Sequence, residues 1–211
     1  MGSIVTVTTP ATNKRLTTVA RVQAELGITG NDAEIGAAID EASSRIEAEL
    51  GYRLALETVV ETFRNGSGMN GSSSILLERR PVVEITAISS DTGALIDGEW
   101  VVDPVNGLVL WVDGAGMAAP WRFITLSVFY SGGWLMPDDE GRTLPPAIEA
   151  AAVAYCRSML SSRDRDPMLR SVEIPGVITR DYYSGSRAGG ENSMLPSDVA
   201  SMLGPFKRIQ I

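Results

Sequence analysis

The sequence predicts an α+β protein, in which a small helical bundle domain is interrupted by an antiparallel β insertion and ends in a C-terminal docking tail. Two helical patterns come first, a run of short alternating strands follows, and helical patterns then return. We therefore expect a helical domain built from residues 1–54 and 135–211, and a β domain built from residues 55–134. A length of 211 residues suits one large domain or two small ones.

The two N-terminal helices are predicted over residues 16–28 and 31–50. Asn31 is the expected N-cap of the second helix, with Glu34 completing a capping box. That helix carries six acidic residues and the single base Arg45, which predicts an acidic face. Its expected buried stripe has helical spacing and consists of Ile35, Ile39, Ala42, Ile46 and Leu50.

The β domain is predicted from alternating segments rich in β-forming residues, such as residues 55–64 and 121–130. Asn106 and Gly107 form a strong hairpin signal between two such segments. Trp100 and Trp111 flank this hairpin, so we expect both side chains to pack on the sheet.

A third long helix is predicted over residues 145–162, and a strand or extended arm near residues 172–183. The segment around residues 196–204 predicts one more short helix, followed by further apolar residues. Such an element is too short to be stable alone. It must therefore dock either on its own domain or on a partner.

The composition excludes several kinds of site. There is no histidine, so Ser-His-Asp catalysis, Cys-His catalysis and ordinary zinc sites are not expected. The single cysteine, Cys156, is expected to be a buried apolar residue. A net charge of −8 does not favour binding to DNA phosphates, and no apolar stretch approaches the roughly 20 residues that cross a bilayer. No cofactor and no metal are expected.

Two local motifs have simpler explanations than ligand binding. Residues 66–71 match G-x-G-x-x-G, but a strand is predicted after them, whereas a dinucleotide site needs a helix there. Asp138, Asp139 and Glu140 lack the alternating spacing and the distant glutamate of an EF-hand calcium loop. A hairpin loop and a solvated turn are the respective expectations.

Several segments resemble, in their order and spacing, the head–tail connector (adaptor) proteins of tailed bacteriophages. Residues 195–208 (LPSDVASMLGPFKR) are similar to the family's Leu-Pro, short helix and Pro-aromatic-basic ending. Residues 144–151 (LPPAIEAA) resemble its Pro-led, Ala-rich third helix, and residues 130–134 (YSGGW) match its Y-x-G-G lead-in. The helix end at residues 46–53 (IEAELGYR) is also similar, and the β region resembles the longer members found in gene-transfer agents.

The resemblance implies a structural subunit of the virion neck that is made in the bacterial host cytoplasm. Such proteins form a dodecameric ring beneath the portal protein, and the isolated chain can be a monomer. DNA passes through the channel without sequence-specific binding, and the opposite face receives a stopper or tail completion protein. The C-terminal segment inserts into the portal, which implies portal contacts for Leu203, Phe206, Lys207, Arg208 and Ile209.

Four further residues are expected at the channel or between subunits. Asp40 and Glu47, on the acidic face of the second helix, would line the channel or meet a neighbour. Arg163 and Arg165 lie in a segment of alternating charge, which is either a solvated linker or a subunit contact.

Three other functions stay open at this point, although no enzyme activity is expected. A different neck protein, such as a stopper or tail terminator, would be mostly β. A carboxylate-dependent glycosidase would need two carboxyl groups about 5–9 Å apart in a cleft. A non-catalytic ligand-binding module would need a closed pocket lined by the tryptophans.

Overall fold

The computed structural model describes residues 3–64, 72–91, 93–94, 99–121, 124–163, 171–174, 178–181 and 195–207. Within these ranges the helices are α1 (Val19–Leu26), α2 (Asp32–Leu50), α3 (Pro146–Arg163) and α4 (Ser197–Leu203), and a 3-10 turn covers Gly204–Phe206. The strands are β1 (Ser3–Thr9), β2 (Glu57–Arg64), β3 (Ser74–Leu76), β4 (Val82–Ser90), β5 (Gly93–Ala94), β6 (Trp100–Asp103), β7 (Leu108–Trp111), β8 (Thr125–Gly132), β9 (Ser171–Ile174) and β10 (Ile178–Asp181).

The fold is α+β, and the chain divides into two compact units. A sheet unit contains residues 1–13 and 52–135, and a helical unit contains residues 14–51 and 136–211. The sequence had assigned the N-terminal residues to the helical domain. That assignment was wrong, because β1 pairs antiparallel with β2 and places Ser3 opposite Phe63.

The sheet unit contains two antiparallel sheets that share one apolar core. The larger has the strand order β1-β2-β8-β4-β5 and the smaller has the order β3-β7-β6. Along β2, buried and half-buried positions alternate, as expected for a strand with one covered face. Both sheets contribute to the core, which consists of Val59, Phe63, Ile75, Leu77, Val82, Ile88, Val109, Trp121, Leu126, Val128 and Tyr130.

The predicted hairpin at Asn106-Gly107 is confirmed. It joins β6 to β7, and Gly107 has a φ of 68°, a left-handed backbone that glycine adopts readily. Trp100 lies directly opposite Trp111 across this ladder. The ring of Trp111 lies 5.2 Å from that of Trp121, so these tryptophans pack on the sheet as expected.

The two glycines of the Y-x-G-G segment allow β8 to end close to two other backbone segments. A Cβ at Gly132 would lie 2.5 Å from the carbonyl oxygen of Arg79. A Cβ at Gly133, whose φ is 117°, would lie 2.4 Å from that of Ala55. The Gly133 N–H also donates a 2.8 Å hydrogen bond to the carbonyl of Pro81. Close backbone packing therefore requires both glycines.

In the helical unit, α2 packs on α3, and α3 also packs on α1 and α4. The apolar stripe predicted for α2 is buried, with Ile35, Ile39 and Ile46 all 0% exposed. Asn31 is the N-cap residue of α2, as predicted, but the capping hydrogen bond expected from its side chain is absent. Asn31 has a φ of 58°, and its side chain makes no cap hydrogen bond, because that bond needs an extended N-cap backbone. Cys156 is buried, as predicted.

Candidate assembly surfaces

The short helix α4 docks on its own chain. Its apolar residues Val199 and Leu203 are 0% exposed, and the preceding Leu195 is also buried. They pack in the helical unit, where α4 lies against α3. Burial of these side chains supplies the stability that a seven-residue helix lacks by itself.

The structure therefore corrects one of the expected portal contacts, because the side chain of Leu203 is enclosed by its own unit. Phe206 is half-buried and Lys207 is exposed, so both reach the surface after α4. Met202, one of the apolar residues of this segment, is 41% exposed on the outer side of the helix. Arg208 and Ile209 lie outside the described residues.

Lys207 is attached to α2 by charge. Its ammonium forms an ion pair with the carboxylate of Glu49, near the end of that helix. The Glu49 side chain is only 12% exposed, whereas that of Lys207 is 45% exposed. The ion pair thus holds Lys207 beside α2 and leaves part of its side chain accessible to solvent.

Asp40 lies on the surface of α2, as expected, but it is paired. Arg15 donates two hydrogen bonds to its carboxylate, from Nε at 2.7 Å and from Nη2 at 2.8 Å. This guanidinium holds the pKa of Asp40 below its ordinary value, and the carboxylate raises the pKa of Arg15. Asp40 therefore keeps its charge, while the neighbouring Arg15 offsets it.

The structure also corrects the expectation that Glu47 lines the channel or meets a neighbouring subunit. Only 7% of it is exposed, because the buried face of α2 is wider than its apolar stripe and also includes Ser43. It thus offers almost no surface to a channel or a neighbouring subunit. Arg163 is the last residue of α3, and Arg165 lies outside the described residues.

The acidic surface of the helical unit is less negative than the sequence of α2 indicates. Glu41 pairs with Arg45 within the helix, at 2.9 Å. Other partners come from far along the chain: Arg157 on α3 pairs with Glu25 on α1, and Lys207 pairs with Glu49. Sequence spacing reveals the first pair, which is four residues apart, but it carries no signal for the distant ones.

Two buried carboxylates lie in the sheet unit. Glu61 is 0% exposed and accepts hydrogen bonds from the Tyr130 hydroxyl at 2.6 Å and the Glu78 N–H at 2.9 Å. Glu57 is 5% exposed and accepts one from Arg79 Nε at 3.1 Å. Burial, with the charge of Glu61 beside it, raises the pKa of Tyr130. Both carboxylates are thus enclosed by structural partners, unlike a catalytic pair in an open cleft.

A surface cavity of about 330 Å³ lies in the helical unit and is lined by Arg21, Arg142, Pro146, Glu149 and Ala150. Arg142 and Glu149 form an ion pair across it at 3.1 Å. Its lining contains no tryptophan, unlike the pocket expected of a ligand-binding module. Within the described ranges, no three potential metal ligands cluster together. None of the helices described is long and apolar enough to span a membrane.

Comparison with known proteins gives matches of structure alone. Neither a protein-family model nor a curated protein matches this sequence. The fold is similar to a chain in the neck of the native GTA particle computed with C12 symmetry, with a TM-score of 0.57 and 13% identity. Chains in the virion of the native gene transfer agent (GTA) particle and in the neck of the empty GTA particle computed with C6 symmetry give TM-scores of 0.58 and 0.60, at 13% and 14% identity.

Each of these matches covers 99% of this chain and 97% of the other. Each match therefore includes both the sheet unit and the helical unit of this chain. The chain shares its α+β fold, over nearly its whole length, with chains of gene transfer agent particles and their necks.

Proposed function

We propose that this chain is a head–tail connector (adaptor) subunit of a tailed phage or phage-like particle. In this role it forms a ring beneath the portal, extends the channel for DNA and offers a docking surface to a stopper or tail completion protein. Its role is structural, without catalysis or a cofactor. The observation that carries the proposal is the fold match over 99% of this chain to GTA neck chains.

A ring is supported by the symmetry of the similar structures. Two of them are necks computed with C12 and C6 symmetry. Identical chains around such an axis meet through two different surfaces of each copy. We propose a dodecamer, in which the helical unit is a bundle that forms the connector body and the sheet unit is an addition to it.

The portal contact is proposed for the end of the chain. Leu203 and Val199 anchor α4 in the helical unit, so the residues that follow start from a fixed position. Phe206, Lys207, Arg208 and Ile209 then combine apolar and basic groups that can enter a groove on the portal. Leu203 acts indirectly in this arrangement, because it holds the segment in place.

Asp40 is proposed to face the channel or a neighbouring subunit. It is exposed and forms an ion pair with Arg15, so the pair carries no net charge. In a chain with a net charge of −8, such a surface does not attract DNA phosphates and lets DNA pass without being held. Arg163 and Arg165 are the proposed contacts to the next subunit, where they would meet acidic groups.

Binding to the cognate portal tests the proposal. The full chain, a variant lacking residues 208–211 and one lacking residues 196–211 are each mixed with portal and analysed by sedimentation. The shorter deletion leaves the described α4 and the 3-10 turn in place, so a loss of binding without a loss of folding assigns the contact to the last four residues. Equal portal binding by all three proteins would contradict a C-terminal contact.

A charge exchange separates a direct role of Lys207 from its ion pair with Glu49. We expect Lys207→Glu to weaken portal binding, and Glu49→Lys added to it should restore the internal pair but not the binding. Arg21→Glu makes the same change of charge at an exposed site of the same unit and is the control. Full rescue by the double variant would show that Lys207 acts only through α2.

A further inference from the structure

The larger sheet ends in an unusually open edge strand. In the described part of the chain, β1 pairs with β2 alone. Its residues 4–9 (IVTVTT) are all β-branched, and none of its residues is charged. Ser3 to Val7 pair with β2 in regular register, and a register irregularity follows between Val7 and Thr9, at the end of the strand. Ile4, in the regular part, is 57% exposed. An edge strand presents a row of backbone N–H and C=O groups, and proteins normally protect it with a charge, a proline or a bulge.

The opposite edge of the same sheet carries more of that protection. β5 pairs with Ser89 and Ser90 and leaves the rest of β4 uncovered in the described chain. That part of β4 has two register irregularities, and it carries the exposed, charged Glu84. Bulges and charges both hinder the addition of another strand. β1, which is uncharged and pairs regularly from Ser3 to Val7, is therefore the edge better suited to accept one.

A strand pair that lacks a third strand lies elsewhere in the chain. β9 and β10 form an antiparallel two-stranded sheet, with Ile178 opposite Ile174 and Asp181 opposite Ser171. Within the described residues these two strands pair with no other strand. A two-stranded hairpin is marginally stable in water and gains stability when a further strand joins it.

We propose that the β9–β10 hairpin of one copy adds to β1 of the neighbouring copy and extends its sheet. This inference rests on the proposed ring. In a ring each copy uses two different surfaces, and β1 and the hairpin are two different segments of every chain. Pairing of β1 with a second β1 would instead close a two-fold dimer, which cannot continue around a twelvefold axis.

Cross-linking between mixed copies tests this pairing. One variant carries Thr6→Cys in β1 and another carries Thr179→Cys in β10, and the two are assembled together on portal and treated with a short bismaleimide. The native Cys156 is buried, and burial raises its pKa to about 11, so it should not react. We expect covalent dimers that contain one copy of each variant. The control replaces Thr6→Cys by Val83→Cys, which is exposed on the protected edge strand β4 and should give no dimer with Thr179→Cys.

Five results would overturn the pairing. Dimers from Thr6→Cys alone would indicate contact between two β1 strands. An internal cross-link in a chain with both changes would place the hairpin on its own sheet. An equal yield of dimers from the Val83→Cys control would show that the contact is not specific to β1. Rings that sediment with portal but give no mixed dimer would remove this inference and leave the proposed function intact, whereas the absence of any ring would remove both.

Discussion

The hydroxyl of Tyr130 on β8 donates a 2.6 Å hydrogen bond to the carboxylate of Glu61 on β2, and both residues are 0% exposed. The same hydroxyl accepts the N–H of Arg79 at 2.9 Å, and Glu61 also accepts the N–H of Glu78. A buried carboxylate is tolerated only when its oxygens are satisfied in this way. The pair therefore attaches the segment before β4 to the centre of the larger sheet.

Tyr130→Phe should lower the free energy of unfolding by about 2–3 kcal/mol, because it leaves a buried carboxylate oxygen and a buried N–H without this partner. Urea unfolding measures the change. Tyr155→Phe is the matched control, since the Tyr155 hydroxyl has no hydrogen-bond partner among the described residues, and it should be nearly neutral. Equal losses in the two variants would show that the Tyr130 hydroxyl has no special role.

Gly133→Ala should destabilise the sheet unit by more than about 3 kcal/mol, because the added Cβ meets a backbone carbonyl and the φ of 117° is unfavourable for alanine. Gly114→Ala is the control, as a Cβ there meets nothing within 4 Å, and its effect should stay within about 0.5 kcal/mol. Thermal unfolding compares the two. A tolerated Gly133→Ala would contradict the packing explanation of the Y-x-G-G segment.

Leu203→Ala should destabilise the helical unit by about 2–5 kcal/mol, because it opens a cavity in a fully buried site. Met202→Ala, on the neighbouring but exposed residue, should change stability by about 0.5 kcal/mol or less. Urea unfolding of both variants checks this difference. A neutral Leu203→Ala would mean that α4 is not held on its own unit, and Leu203 would again be a candidate for portal contact.

The Arg15–Asp40 pair should contribute less than about 1 kcal/mol, because both side chains are roughly half exposed and screened by water. The folded pKa of Asp40 is lowered, so its contribution is complete above the ordinary pKa of 3.8 and disappears as the pH falls through the folded value. A double-mutant cycle with Arg15→Gln and Asp40→Asn, measured by urea unfolding from pH 7 to about pH 3, isolates the coupling free energy between the two side chains. A coupling that does not change over this range would exclude an ionic origin.

The sequence was sufficient for features that local pattern determines. Helical spacing located Ile35, Ile39 and Ile46 on one face, and Gly107 located the β6–β7 turn. Each of these signals comes from residues that are close together in the sequence. The strand β1 was missed, although its β-branched residues were a usable signal. Its partner β2 lies far along the chain, so nothing local assigned it to the sheet unit.

The candidate surfaces were harder to predict for the same reason. The exposure of Asp40 followed from its place on α2, but the burial of Glu47 depends on which elements cover that helix. The burial of Leu203 likewise depends on how α4 docks. The sequence left open whether the tail binds its own domain or a partner, and contacts between distant segments show that α4 docks on its own unit.

Electron microscopy of the chain assembled on its cognate portal tests the central claim most directly. We expect a closed ring of identical copies beneath the portal, with twelvefold symmetry and with residues 206–209 against the portal surface. A chain that stays monomeric in the presence of portal, or that binds it without forming a ring, would contradict the connector function.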